Sequence, residues 1–373
     1  MTRCVGLRGY TAPLVSFVAL CALFSCAPGG GTNEGSAAAA GDPTAGGTAG
    51  APAASGEAEF EFTEIVPGVY HARGVGSLAV GSNAAVIVND AEVMLVDTHI
   101  TPAAATQLLG EQRRITDKPV RYVVNTHWHF DHAHGNQVFP PDVEIISHEA
   151  TRAVIAAGGS VSGRSYESFV GTLPATIERL EATLDTVTDA AARGELEQSL
   201  ESTRTYYAQT REVVPTSPNT TLSERLTLHR GDREIRFLFF GRGHTEGDIV
   251  VHLPDDRVLI TGDLITAGVP YMGDGFVEEW IDTLEHLKSL EFDWILPGHG
   301  LPYQDRERIT YLQEYFRGFL AQARALHAEG ATAEDAAARI DMSAHAEHFG
   351  GITGPGVAPI GVIRLFELLG GSG

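Results

Sequence analysis

The sequence predicts an α+β fold, a four-layer αββα sandwich in which two mixed β-sheets pack face to face and helices cover their outer surfaces. The first observation behind this prediction is that each half of the chain after residue 58 contains short apolar strand segments followed by amphipathic helical segments. The second is that histidines and aspartates stand at or just after the ends of several strand segments, where such folds usually place chemistry.

Strand patterns dominate the first half of the predicted domain. The segments with strand composition are residues 59–72, 83–88, 93–96, 120–125 and 143–147. A helix is predicted after Pro102, because proline is favoured in the first helical turn, and its apolar run reaches Leu109. A shorter helix is predicted from His148 to Ala157.

The second half repeats this organisation. Strands are predicted near 222–229, 234–240, 249–253 and 257–261. A helix is predicted over about 277–290, and a last strand over 293–296 leads into the segment Pro297–Gly300.

Residues 166–215 break the alternation of strands and helices. Apolar side chains at 173, 177, 180 and 184 keep helical spacing, Gly194 interrupts it, and the spacing then resumes. We expect a helical hairpin inserted into a domain that spans 59–303. Its apolar stripe favours packing on the body of the domain, with a cover for the site or a dimer contact as alternatives. Residues 304–373 form a predicted C-terminal helical extension with a loop over 350–359.

The first 58 residues differ in composition from the rest. Residues 1–26 contain two arginines, no acid and an apolar run, and the final Ser25–Cys26 resembles the bacterial lipoprotein box. This predicts an exported lipoprotein that is periplasmic or anchored in the outer membrane, with a plain cleaved signal or an uncleaved anchor as alternatives. Residues 27–58 are mostly Gly, Ala, Ser, Thr and Pro, which predicts a disordered tether.

Cysteine and charge content limit the possible partners. All three cysteines, Cys4, Cys21 and Cys26, lie in the leader, so the body of the chain has no thiol for a disulfide or a metal. The formal net charge of −22 would repel a phosphate backbone, which argues against nucleic acid. The predicted partner is a small-molecule substrate, and membrane contact is predicted only through a lipid anchor. The sequence leaves the oligomeric state open.

Seven ligand-type side chains form the candidate site. Four of them lie between residues 127 and 132, directly after the strand predicted at 120–125, and each of the others follows an apolar run and neighbours a glycine. The seven are His127, His129, Asp131, His132, His244, Asp263 and His299. In an extended loop, side chains at i and i+2 point the same way, so His127 and His129 can hold one cation while Asp131 and His132 reach a second.

These motifs resemble those of the metallo-β-lactamase superfamily, which are His-x-His-x-Asp-His, a later Gly-His, a Gly-Asp after a strand and a final Gly-His. The resemblance covers about residues 60–300. It implies that one divalent metal ion is bound by His127, His129 and His244, a second by Asp131, His132 and His299, and that Asp263 bridges the two. It also implies that Asp97 orients a ligand histidine.

The predicted function is that of an exported metal-dependent hydrolase that acts on an ester, lactone, thioester or amide of a small molecule. A hydroxide that bridges the two ions would attack the scissile carbonyl. Asp131 and Asp263 are the predicted catalytic residues, Asp131 to orient or accept the proton and Asp263 to bridge the ions. Zinc is the expected metal, and iron or manganese are alternatives because imidazole and carboxylate ligands accept all three.

Other functions are compatible with the same motifs. Lactam hydrolysis is the first alternative, but the β-lactamases of the main group usually have cysteine where Asp263 stands and lysine where Thr266 stands. The aspartate-bridged pattern is more similar to glyoxalase-type thioesterases, lactonases and cyclase-like hydrolases. A second alternative is oxidation of persulfides by a single iron, and a third is a non-catalytic binding module, against which the retention of seven ligands counts.

Overall fold

The computed structural model describes residues 58–370. The predicted leader, and the predicted tether up to residue 57, lie outside the described residues. Within residues 58–370, no helix combines the length and the apolar character needed to cross a membrane.

The first sheet has seven strands whose spatial order follows their order in the chain. Neighbouring strands pair antiparallel from the first strand to the fourth and parallel from the fourth strand to the seventh, so the sheet is mixed. The strands are β1 (Phe60–Val66), β2 (Val69–Gly74), β3 (Ala84–Val88), β4 (Val93–Val96), β5 (Val120–Val124), β6 (Glu144–His148) and β7 (Thr220–Leu222).

The second sheet has five strands in the order β12-β11-β10-β9-β8. The pair β11 and β12 is parallel and the other neighbours are antiparallel. The strands are β8 (Arg225–Arg230), β9 (Arg233–Leu238), β10 (Val250–Leu253), β11 (Val258–Gly262) and β12 (Trp294–Pro297).

Ten α-helices lie within residues 58–370. Two of them, α5 and α6, form the antiparallel pair in the segment where the sequence predicts a hairpin, and the last three belong to the predicted C-terminal extension. The helices are α1 (Pro102–Glu111), α2 (Phe130–Ala133), α3 (Glu149–Ala156), α4 (Arg164–Phe169), α5 (Leu173–Leu184), α6 (Ala190–Thr210), α7 (Val277–Leu287), α8 (Glu307–Ala328), α9 (Ala333–Arg339) and α10 (Pro359–Leu368).

Three apolar clusters account for the layers. One cluster lies between the sheets and takes its side chains from both, for example Ile87 and Val124 from the first sheet and Phe237 from the second. Another covers the outer face of the first sheet and includes Leu108 of α1. The largest packs the outer face of the second sheet against α7 to α10. The layers therefore follow the order helices, sheet, sheet, helices, which confirms the predicted four-layer fold.

The C-terminal helices share a core with the second sheet. Phe316 and Phe319 of α8 and Phe366 of α10 belong to the same buried cluster as Leu259 of β11. At the edge of this cluster, the guanidinium of Arg308 donates hydrogen bonds to the backbone carbonyls of residues 266, 267 and 348. The C-terminal helices therefore complete a core and also fix the start of the loop that follows β11.

Two sequence predictions of strands need correction. Residues 59–72 do not form one strand, because the chain turns at Pro67 and Gly68 and returns as β2. Gly68 has a φ of 78°, a left-handed conformation that favours glycine. The strand expected near 222–229 is also two strands, since residues 220–222 pair with β6 of the first sheet before β8 begins in the second.

The cluster around Trp280 gives a test of this core. Trp280 is fully buried, its ring centroid lies 4.6 Å from that of Phe316, and its indole N–H donates to the Leu264 carbonyl over 3.1 Å. We expect Trp280→Ala to lower the free energy of unfolding by about 3–5 kcal/mol, because it leaves a cavity and an unpaired carbonyl. Urea denaturation measures this. Leu368→Ala, at an exposed position, should stay within about 0.5 kcal/mol of the parent chain, and a loss below about 1 kcal/mol at Trp280 would contradict the packing described.

Candidate metal centre

The first ligand motif begins where β5 ends. Asn125 and Thr126 are fully buried, and the backbone N–H of Thr126 donates to the Asp97 carboxylate over 2.8 Å. The sequence predicts an extended loop for the whole segment that follows, and this prediction is wrong for its second part. His127 and His129 lie before α2, whereas Asp131 and His132 lie within it. The helical turn redirects the chain, so Asp131 and His132 point to a different part of the centre from His127 and His129.

The other ligand positions come from the second sheet and the loops at its end. Asp263 directly follows β11, His299 follows β12 by two residues, and His244 lies in the loop between β9 and β10. Because β11 and β12 are parallel neighbours, their carboxyl ends meet at the same edge, which brings Asp263 and His299 together. This edge faces the end of β5.

Glycines allow the close approach of these loops. Gly262 has a φ of 52°, and a Cβ atom there would lie 2.4 Å from the Thr126 hydroxyl oxygen. At Gly298 a Cβ atom would lie 2.2 Å from a carboxylate oxygen of Asp263. Any side chain at either position would therefore displace a ligand or the residue that supports it.

The seven predicted ligands form overlapping sets. Their ligand atoms lie within 4.8 Å of one another in three groups: His127 with His129 and His244, His127 with His132 and Asp263, and Asp131 with His132 and His299. The first group matches one predicted ion, and the third group matches the other.

Asp263 lies between the two sets. One of its oxygens is 3.5 Å from His244 Nε2 and 3.2 Å from His299 Nε2, and the other is 3.5 Å from His132 Nε2. Asp131 completes the second set, with an oxygen 3.2 Å from His299 Nε2. The carboxylate of Asp263 is therefore within reach of cations in both sets, as the resemblance implies.

Each of four ligand histidines contacts an orienting group through the ring nitrogen that points away from the centre of the site. Asp97 lies 2.8 Å from His132 Nδ1, the Thr126 hydroxyl lies 3.0 Å from His127 Nδ1, and the Tyr271 carbonyl lies 3.1 Å from His244 Nδ1. Asp274 lies 3.1 Å from His129 Nε2. In each case the opposite ring nitrogen faces the centre of the site, which is the arrangement that metal-binding imidazoles need.

Asp97 holds its position at a conformational cost. Its φ is 64°, in the left-handed region, which aspartate visits more readily than most residues. In return its carboxylate accepts hydrogen bonds from the backbone and the hydroxyl of Thr126 and interacts with His132. The structure thus places Asp97 in the orienting position that the resemblance implies.

The residues present fit a metal centre. The ring nitrogen Nε2 of His127 and the Oδ1 oxygen of Asp263 are buried and form no hydrogen bond within the described part of the chain. A buried polar atom without a partner costs free energy, and a cation between these two atoms would satisfy both. The donor set of five imidazoles and two carboxylates is one that zinc, iron and manganese all accept.

The histidines of the centre divide into two electrostatic classes. Burial, with the neighbouring imidazoles, lowers the pKa of His127 well below its usual value and that of His244 to about 3. Burial acts in the same direction on His132 and His299, but the carboxylates of Asp131 and Asp263 outweigh it. The pKa of His132 is therefore raised well above its usual value, and that of His299 is raised to about 9.

The two carboxylates respond in the opposite sense. Burial raises the pKa of Asp131 and of Asp263, but the neighbouring His132 and His299 outweigh burial and hold both pKa values well below the usual range. Both side chains therefore carry negative charge at neutral pH, the form in which a carboxylate binds cations.

Other histidines of the described residues remain outside the ligand sets. His99 Nδ1 lies 3.1 Å from the Ser82 carbonyl, His148 caps the start of α3, and His252 contacts the Glu291 carbonyl. His134 is buried, with Nε2 2.8 Å from the Ser160 carbonyl. Of the residues that flank the motifs, Arg242 pairs with Glu279 and lies over the Phe276 ring.

Sequence reasoning did not find Asp274. This residue lies between two glycines in the loop that joins β11 to α7, and nothing in its local pattern distinguishes it from a surface turn. A feature of the sequence that could have indicated a role for Asp274 is its position in the loop that follows the predicted ligand Asp263. Tyr271, from the same loop, places its ring centroid 5.7 Å from that of His129 and so forms part of the wall of the site.

Comparisons with known proteins agree with this geometry. The family model described as "Metallo-beta-lactamase superfamily" matches residues 78–299, more than half of the chain. A linear primary-alkylsulfatase from a Pseudomonas species is 27% identical over 250 residues, which cover 61% of this chain and 43% of that protein. The α subunit of a 2,4-dinitroanisole O-demethylase from a Nocardioides species is 26% identical over 225 residues, which cover 59% and 53%.

Two further similarities are shorter or more distant. A type 2 metallo-β-lactamase from a Bacillus species is 30% identical over 79 residues, which cover 20% of this chain and 31% of that protein. The solved structure of a metallo-β-lactamase from Pontibacter korlensis has a TM-score of 0.49 and 17% identity, and the match covers 69% of this chain and 99% of that one. The chain spans about half or less of the length of the curated relatives it matches.

The pKa of His299 predicts how cation binding depends on pH. In the ion-free protein its proton is held up to about pH 9, above the ordinary value of 6.5, so a cation must displace that proton. The stabilising pair that His299 forms with the carboxylates is complete below pH 6.5 and is lost as pH rises through about 9. We expect the zinc affinity of the set with Asp131 and His299 to rise with pH across this window.

Calorimetric zinc titrations in buffers of different ionisation enthalpy will measure both affinity and proton release. The set with His244 is the internal control, since that imidazole, with a pKa of about 3, is neutral throughout the window. Equal affinities at pH 6.5 and pH 8.5 at both sets, with no proton released, would contradict the prediction.

Proposed function

The chain belongs to the metallo-β-lactamase superfamily, whose members are metal-dependent hydrolases, and from this premise we propose that it uses two metal ions to hydrolyse a small molecule. The proposed scissile bond is that of an ester, lactone, thioester or amide. One observation carries the proposal: seven imidazole and carboxylate side chains, from α2 and from loops at the ends of both sheets, converge into two sets that share Asp263.

Each ion would be bound by its own set of residues. His127, His129 and His244 would hold one, and Asp131, His132 and His299 the other, with Asp263 between them. When bound, such ions polarise the scissile group and lower the pKa of water. Zinc is the proposed metal because neutral imidazoles with few carboxylates are its usual ligands in hydrolases.

Asp131 is the proposed proton acceptor. Its side chain is 15% exposed, so it is the ligand carboxylate with more access to the open side of the centre, against 10% for Asp263. It is held by His299 and carries negative charge at neutral pH, since its pKa is depressed by His132 and His299 despite burial. A carboxylate in this position can orient a nucleophilic water and take its proton.

The relatives widen the range of bonds to be considered. The names of the curated relatives include a sulfate ester of a primary alcohol and an aryl methyl ether as well as a lactam. We retain an ester as the leading substrate class because the longest of these matches is to a sulfatase. Lactam hydrolysis is the second candidate, favoured by the 30% identity to a type 2 metallo-β-lactamase over a short segment.

Apolar side chains border the proposed site. Leu301 follows the ligand His299 by two residues, and Val269 lies in the loop between Asp263 and Tyr271. Phe169, from α4, places its ring centroid 5.8 Å from that of Tyr271. All three remain exposed, and exposed apolar side chains at the rim of a site can form a ligand-binding surface. We therefore propose that the substrate carries an apolar group next to the bond that is cleaved.

Export remains part of the proposal and rests on the sequence of residues 1–26 alone. A signal that ends at Cys26 would place the enzyme in the periplasm or on the outer membrane as a lipoprotein. A cytosolic thioester would be out of reach there, which favours esters and lactones within the proposed range.

A combined metal and substrate screen tests the proposed function. Purified chain should contain about two zinc ions and hydrolyse at least one of these probes: a short carboxylic ester, a lactone, a thioester, a primary alkyl sulfate, a dinitroaryl methyl ether or nitrocefin. His299→Ala should lower kcat/KM by about 10²-fold or more, because it removes a ligand and the partner of Asp131. His229→Ala, on the exposed face of β8, is the control.

Several results would reject the proposal. Turnover that is equal in the His299→Ala variant and the parent chain would show that this centre is not the site. A single iron per chain with oxygen uptake would replace hydrolysis with the oxidative alternative. Absence of turnover on every probe, with metal bound, would remove this set of substrates.

The apolar border makes a separate prediction. Leu301→Ser should raise KM by about 5-fold for probes with a long alkyl group and change kcat little, because it removes roughly 1 kcal/mol of apolar contact that is equal in the ground state and the transition state. Val214→Ser is the matched control, since Val214 is 63% exposed and Leu301 is 59% exposed. Equal KM values for the two variants would show that the substrate does not contact this border.

A further inference from the structure

Asp274 belongs to no ligand motif, yet it contacts a ligand. Its Oδ2 oxygen lies 3.1 Å from His129 Nε2 and accepts a hydrogen bond from the backbone N–H of Ser165 over 3.2 Å. The side chain is 14% exposed and the ring of His129 is 4% exposed, so little water competes for this contact. The carboxylate is thus shared between a predicted metal ligand and the first turn of α4.

The geometry of His129 defines what Asp274 does. The nitrogen on the other side of the ring, Nδ1, lies 2.9 Å from His244 Nε2 and faces the ligand set. If Nε2 donates its proton to Asp274, the lone pair of Nδ1 would be available to a cation held by this set. Asp97 acts on His132 in the same way, at 2.8 Å, so each ligand set has one carboxylate behind one histidine.

Helix α4 holds the loop that contains Asp274. Arg164 donates a hydrogen bond to the Gly273 carbonyl over 2.7 Å, and the next residue, Ser165, donates to Asp274 itself. The same guanidinium pairs with Glu367 of α10 at 2.7 Å. Two consecutive residues of α4 therefore fix two consecutive residues of the loop, and a C-terminal helix fixes α4.

We propose that Asp274 is a positioning residue that sets the orientation of His129 for its cation, and that α4 couples the inserted segment to this metal set. The proposal rests on the metal centre of the proposed function. It gives the segment that begins with α4 a role beyond packing, since its first turn donates a hydrogen bond to the carboxylate that contacts the predicted ligand His129.

Zinc affinity is the decisive measurement. In Asp274→Ala, one of the two ions should bind about 10–100-fold more weakly, because the ring of His129 loses its orienting partner, while the ion of the Asp131 set keeps its affinity. Asp274→Asn keeps an acceptor oxygen and should recover part of the loss. Competition with a chromophoric chelator gives both constants, and the electronic spectrum of the cobalt-substituted protein should change in the same variants.

Asp256→Ala is the matched control. Asp256 is also a partly buried carboxylate, 19% exposed, and pairs with Arg233 at 2.8 Å in the turn before β11, at the end of that strand remote from the ligands. Its loss should affect stability as much as the loss of Asp274, but it should leave both zinc constants and the cobalt spectrum unchanged.

Hydrogen exchange tests the coupling to α4. Zinc should slow the exchange of the amides of residues 164–169 in the parent chain and in Asp256→Ala, but not in Asp274→Ala. Two normal zinc constants in a folded Asp274→Ala variant would overturn the proposal. If the parent chain itself binds no metal, the proposed function fails, and this result is distinct from a failure of the proposed role of Asp274. If Asp274→Ala does not fold, the zinc constants of Asp274→Asn test that role instead.

Discussion

The hydrogen bonds of one buried carboxylate, that of Asp97, connect the fold to the site. Asp97 follows β4, and its oxygens accept from the backbone and the hydroxyl of Thr126 at the end of β5 and interact with His132 in α2. Thr126 in turn contacts His127 and limits residue 262 to glycine. Two strands of the first sheet, two ligands and the end of β11 therefore depend on the position of one side chain. Its left-handed φ is the conformational cost of that position.

Several charged and titratable side chains lie buried near this carboxylate, where such groups are unfavourable unless they are paired. Burial favours the neutral forms of His127 and His244, while the pairs formed by His299 with Asp131 and Asp263 favour charged forms. A buried polar atom without a partner is destabilising, and Nε2 of His127 forms no hydrogen bond with any of the described residues. The same atoms that weaken the ion-free fold are the ones that would give a cation its affinity.

Local patterns in the sequence predicted much of this molecule. Strand segments, the Pro102 helix and the four ligand motifs are visible because they depend on periodicity and on residues close in the chain. The helical turn at α2 was not predicted, because four residues are too few to show a helical period. Asp274 was missed for a different reason: its partners His129 and Ser165 are 145 and 109 residues away in sequence. The tertiary packing of the first ligand motif and of α4 against the loop after β11 brings them together.

The shared core of the second sheet and the C-terminal helices has a consequence for how the chain acquires its structure. Val362 and Phe366 of α10 pack in the same cluster as Ile295 of β12, so part of the outer surface of that sheet stays open to water until α10 has been synthesised. The first sheet needs no residue beyond Leu222 to complete its strand order. Folding that proceeds from the N-terminus would leave apolar surface of the second sheet exposed while about 70 further residues are added, the period in which a chaperone has most to bind.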